Sequence, residues 1–172
     1  MSKSLLKFLM FGLLLISSQT YALTLSSSAF NDGGKIPAQY TCDGKNQSPP
    51  LSWQDPPAGV HSYVLIVDDP DAPGGTWNHW LVFNIPSSTL SLSQNEHVFP
   101  AGALIGKNNW HHVQYDGPCP PNDSHRYIFK LYALDTTLKL SSGATKSAVM
   151  HGINNHIIGS ASLTGNYQRP GH

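Results

Sequence analysis

The chain has 172 residues, of which 13 are proline and 15 glycine, and its ten Lys and Arg balance ten Asp and Glu. Charged residues make up 12% of it and form no basic run, which sets aside the clustered Lys and Arg that nucleic acid or an anionic membrane surface calls for. Apolar runs punctuated by turn residues point instead to one compact β-rich domain.

The first residues are read as a leader. Lys3 and Lys7 precede the apolar run Phe8–Ile16, and Ser17–Thr20 lead to Tyr21-Ala22. A basic start, a short apolar stretch and a small residue at the cut form a secretory signal peptide over residues 1–22. The run is too short to span a membrane as a helix, which takes about 20 apolar residues. Residues 23–172 then form one domain of about 150 residues, with eight basic against ten acidic side chains.

Leu23–Phe30 reads as a short edge strand. Cys42 follows, and its only possible mate is Cys119. In an oxidising compartment an even count favours a disulfide over two separate buried thiols. Closing a loop of that length is worth about 4.5 kcal/mol in the chain-entropy model. His61–Val67, His79–Ile85 and Tyr127–Leu134 are apolar at nearly every position. They read as central strands buried on both faces. A helix is expected between Thr145 and Ile158, with Val149, Gly152, Ile153, His156 and Ile157 on one face and Gly159 as its C-terminal cap. His156 there reads as a packed, hydrogen-bonded side chain. Ser160–Tyr167 closes the chain as a second edge strand.

Two motifs carry the chemistry. Asp68-Asp69-Pro70-Asp71-Ala72-Pro73 ends the first central strand and runs on to Trp77-Asn78-His79-Trp80. Its prolines make a stiff turn. A solvated turn with Asp caps would explain the carboxylates, but an indole pair and an imidazole are poor choices for a plain loop. Gly117-Pro118-Cys119-Pro120-Pro121 leads into His125-Arg126-Tyr127. His79 and His125 can each present a ring nitrogen to a ligand oxygen, with a nearby Asp fixing the tautomer. Tyr127 adds a hydroxyl, and Gly117 permits close backbone approach. The set suits one small anion beside an apolar wall of Trp77, Trp80 and prolines.

These motifs, with Leu131-Tyr132-Ala133-Leu134-Asp135, Tyr40-Thr41-Cys42-Asp43-Gly44, Ser48-Pro49-Pro50-Leu51-Ser52-Trp53, His156-Ile157-Ile158-Gly159 and Gly165-Asn166-Tyr167, occur in consistent order over nearly the whole domain. The chain thereby resembles the phosphatidylethanolamine-binding protein family, also called the Raf kinase inhibitor protein family, in its bacterial branch. The resemblance implies a mainly β fold: a two-sheet antiparallel, Greek-key-like β-sandwich with one or two short helices and a small pocket at one end. Carried over residue by residue, the ligand-binding set is Asp69, Asp71, His79, Gly117, Pro118, His125 and Tyr127, with Trp80 as a wall. Members bind phosphate, phosphoethanolamine-like head groups or similar anions, and some regulate signalling partners. The chain stops soon after Tyr167-Gln168-Arg169, so the C-terminal helix bordering the animal pocket is not expected. Export would also separate it from its own cell's cytoplasmic kinases.

The leading expectation is therefore an exported, periplasmic or secreted binder of a small anionic ligand or phospholipid head group, with a regulatory role and without a cofactor. An enzyme using Asp and His for acid–base work is the alternative. It lacks a visible nucleophile, because the Gly-x-Ser-x-Gly elbow is absent and Cys119 is assigned to a bridge. A protein-interaction module in the envelope is a third class. Nine histidines, with His111 and His112 adjacent, raise the question of a metal. Neighbouring residues rarely hold one ion, so these two read as solvated. Homodimerisation is carried over from the bacterial members.

Overall fold

A computed structural model describes residues 22–171. The expected signal peptide, up to Tyr21, lies outside the described residues.

Among the described residues, nine strands make two sheets. The smaller sheet holds β1 (Thr24–Ser26), β3 (Leu51–Gln54) and β6 (Ser91–Leu92), in the order β1-β3-β6. The larger holds β2 (Gly34–Lys35), β4 (Ser62–Asp69), β5 (Trp77–Pro86), β7 (Leu104–Ile105), β8 (His125–Leu134) and β9 (Ile157–Tyr167), in the order β2-β9-β8-β4-β5-β7. All pairings are antiparallel except the short β2–β9 contact, which is parallel. The fold is thus mainly β in two sheets, as expected.

Burial on both faces explains the unbroken apolar runs. Leu25, Leu51, Trp53 and Leu92 of the small sheet pack with Tyr63, Leu65, Val67, Trp80, Val82, Phe129 and Leu131 of the large one. Val64, Ile66, Leu81 and Phe83 point the other way, against Leu138 and against Val149 and Ile153 of the α-helix α1 (Lys146–Ile153). All eight residues of β4 are buried, and β5 is buried through its middle. β8 departs from the expectation. Its inward residues are buried, while Arg126, Ile128, Lys130 and Tyr132 face outward in part.

The C-terminal region corrects four readings. The helix is shorter than expected, because Thr145 caps it at the start and Asn154 ends it. Ile157 already belongs to β9, and Gly159 sits in that strand, where a Cβ would come within 2.9 Å of Pro57. That glycine serves strand packing, not a helix end. His156 is not packed on an apolar face: it is half exposed and bonds Asp135 through Nδ1 at 2.8 Å. β9 is no edge strand either. With 11 residues it is the longest strand, seated between β2 and β8.

Cys42 and Cys119 are bridged, with Cα atoms 5.4 Å apart. The bridge sits among other ties between the same two loops. The Tyr115 hydroxyl donates to the Tyr40 carbonyl at 2.7 Å, and Gly117 N–H to Asn46 Oδ1 at 2.7 Å. Cys42 N–H donates to the Pro118 carbonyl. A Cβ on Gly117 would lie 2.3 Å from the Tyr40 carbonyl oxygen, so only glycine allows this approach.

Candidate functional site

The site lies where β4 ends, β5 begins and β8 begins. Asp69 is the last residue of β4, and β8 opens with His125. In β5 the register slips: Trp80 faces Val67 but Asn78 faces Asp68. His79 is the extra residue of that bulge, the device by which a strand re-aims a side chain. Its ring meets Tyr127 edge-on, with centroids 5.1 Å apart.

Each polar group here has a defined job. Asp69 Oδ2 accepts from His125 Nδ1 at 2.8 Å, and its Oδ1 accepts from Asp71 N–H at 2.8 Å. The second bond is a local turn that only a short side chain can make. His79 Nδ1 donates to the Asp116 carbonyl at 2.7 Å. Burial holds the His79 imidazole below its ordinary pKa, although the backbone at Asp116 and Gly117 and the charges on Asp69 and Asp116 pull it back up. Tyr127 is fully buried. Burial first, and then the charge of Asp69, push its phenol well above the usual range.

His79 and Trp77 border a cavity of about 210 Å³ that is also lined by Asp69, Ala72, Pro73, Gly74, Trp110, Cys119 and Pro121. Trp110 closes one side: its ring lies 5.3 Å from that of Trp77 and 5.0 Å from that of His79, edge-on to both. The indole Nε1 of Trp77, buried in this wall, has no hydrogen-bond partner; the Tyr127 hydroxyl, buried behind the wall, makes no well-aligned bond but stands close to Asp69 and the Cys119 backbone. Orphaned buried donors are uncommon and costly. A second cavity of about 210 Å³ shares Trp110 and Cys119 as a partition and is lined further by Cys42, Asn46, His112, Asp116 and Gly117.

The predicted residues therefore do not all meet. Asp69 and His79 line the first cavity, while His125 and Tyr127 stand directly behind them. Asp71 is turned away: its carboxylate grips Arg126 through Nε at 2.9 Å, Nη2 at 2.7 Å and the backbone N–H at 2.9 Å. Those bonds hold its pKa at about 2. It clamps the turn to β8. Gly117 lines the second cavity, and Pro118 lines neither. Trp80 is not a wall of this site. It points into the core against Phe99 and Tyr115 and borders a separate, larger cavity.

Two residues were missed. Trp110 lies in a loop without periodicity, and nothing in its local sequence marks it. Its place is set by neighbours: Asn108 Oδ1 accepts from Trp110 N–H and His112 N–H, and the Asn109 backbone and side chain both bond Asn78. Asp116 was the other, and its position just before Gly117 was the available signal. Burial would raise its pKa, but bonds from Gln114, His112 and Asn108 outweigh that and lower it. His112, read as solvated, is more than half exposed yet bonds Asp116 at 2.9 Å. Among the described residues, no group of three or more His, Cys, Asp or Glu could hold a metal ion, and no helix is long and apolar enough to cross a membrane.

Comparison with known proteins gives a consistent answer. A UPF0098 protein of Methanothermobacter thermautotrophicus is 48% identical over 150 residues, covering 86% of this chain and 99% of its own. Another, from Aquifex aeolicus, is 41% identical and spans 93% of this chain and 99% of its own. Among solved structures, a phosphatidylethanolamine-binding protein homologue from Chlamydia trachomatis superposes with a TM-score of 0.82 at 40% identity, over 86% of this chain and 98% of that one. E. coli YBCL, described as a member of the mammalian PEBP family, gives 0.82 at 31% identity, over 87% and 99%. The model of the phosphatidylethanolamine-binding protein family matches residues 26–168. The chain belongs to the phosphatidylethanolamine-binding protein family.

Proposed function

We propose that the chain is an exported binding protein for a small anionic ligand, phosphate or a phosphoethanolamine-like head group, and that ligand occupancy serves regulation and not turnover. The observation that carries this reading is an orphaned donor, Trp77 Nε1, buried in the wall of the cavity that Asp69 and His79 also line. A bound oxyanion would satisfy a group that otherwise costs about 1–3 kcal/mol. No hydroxyl or free thiol lines that cavity, and its Cys119 is bridged, which favours binding over covalent catalysis. The signal-like residues 1–22 support export to the periplasm or beyond.

Thermal unfolding of the protein lacking residues 1–22 tests this. Millimolar phosphate or phosphoethanolamine should raise the midpoint, and His79→Ala should remove the shift. No shift with either compound would sink the reading.

A further inference from the structure

We propose that the cavity takes its oxyanion together with one proton, shared between a ligand oxygen and His79 Nε2, so that it selects monoanions of phosphoric or phosphomonoester type over oxyanions that carry no proton. This deepens the function proposed above and rests on it.

An amide oxygen only accepts, so the 2.7 Å bond from His79 to Asp116 fixes the ring hydrogen on Nδ1. A neutral His79 then carries a lone pair on Nε2, and His79 lines the cavity. A bare anionic oxygen facing it would meet a second lone pair. The contact becomes a hydrogen bond only when a proton sits between them.

The surrounding charges do not supply an alternative. Of the cavity's lining residues only Asp69 and His79 ionise, and no Lys or Arg is among them. From β4, His79 faces Asp69, and behind that carboxylate stands His125 of β8, whose Nδ1 is already donated to it. β8 also presents Tyr127, a neutral phenol. The loop before Gly117 presents the Asp116 carboxylate, which is bonded to His112. Arg126 is held on Asp71 outside the cavity. Even with His125 protonated, the His125–Asp69 pair is neutral, so nothing offsets a doubly charged ligand. Burial of His79 also opposes charging the imidazole without such a ligand. A protonated oxyanion solves both problems: it brings the missing hydrogen and one charge fewer. Its remaining oxygens are left to accept from Trp77 Nε1–H, in the cavity wall.

Isothermal titration of the full mature protein with inorganic phosphate and with sulfate tests this. Sulfate matches phosphate in shape but carries no proton near neutrality. Phosphate affinity should fall about tenfold between about pH 6 and about pH 8, following the competent fraction of the ligand–protein pair. Sulfate should bind more weakly, with an enthalpy that changes with the buffer's ionisation heat because His79 must take up a proton from solvent. His79→Gln, whose amide can donate, should narrow the preference for phosphate over sulfate and lessen the dependence of affinity on pH. Sulfate binding as tightly as phosphate at about pH 8, without proton uptake, would overturn the proposal and leave anion binding standing. If neither anion binds at either pH, the functional reading falls with it.

Discussion

Tyr127 shows most clearly how a single residue can back the site at a cost in stability. Its hydroxyl is buried behind the cavity wall without a well-aligned partner, which is a cost whether or not the cavity is filled. Tyr127→Phe keeps the ring against His79 and removes only that hydroxyl. We expect the ligand-free variant to gain about 1 kcal/mol, read by denaturant unfolding, while its protection by phosphate persists because the ring still backs His79. A variant that loses stability would show that the hydroxyl is satisfied in solution. Asp69, His79, His125 and Tyr127 were legible in the sequence because each stands in a motif at a strand end, where turn chemistry and polar side chains coincide. Asp71 was misjudged for a related reason. A carboxylate two residues from Asp69 looks equivalent on paper, but the turn closed by the Asp69 side chain rotates it toward Arg126.

At the scale of elements, the site is made by irregularities that a periodic pattern does not carry. The bulge at His79 turns that ring toward Tyr127, and Trp80, the next residue, enters the core. Reading both indoles as pocket walls assumed that neighbours in sequence share a surface. The Trp110 loop was invisible for the opposite reason, since asparagine hydrogen bonds and not apolar spacing hold it. Gly117 is where the two loops meet most tightly. Gly117→Ala puts a methyl group against the Tyr40 carbonyl, and we expect a loss of about 1–3 kcal/mol from overpacking. Phosphate protection should fall with it, because the loop also carries the Asp116 carbonyl that fixes the His79 tautomer. Unchanged stability would mean that the approach relaxes at no cost.

For the molecule as a whole, the two-sheet architecture was readable from strand-like runs and family motifs, whereas the length and position of β9 were not. Its alternating small residues give little apolar signal, and its place depends on pairing with β8 along its whole length. The disulfide joins residues 77 apart and braces the loops that wall both small cavities. Reducing it, or replacing both cysteines by serine, should cost up to about 4.5 kcal/mol and weaken phosphate binding more than it disturbs strand content by circular dichroism. Equal binding by the reduced protein would separate the brace from the site. The central claim is that the cavity between Asp69, His79, Trp77 and Trp110 holds a small oxyanion. The most direct measurement is a crystal structure of the mature protein grown with phosphate or phosphoethanolamine. We expect density for the phosphate group within hydrogen-bonding distance of His79 Nε2 and Trp77 Nε1. Ligand density elsewhere on the molecule, with only water in this cavity, would contradict the account.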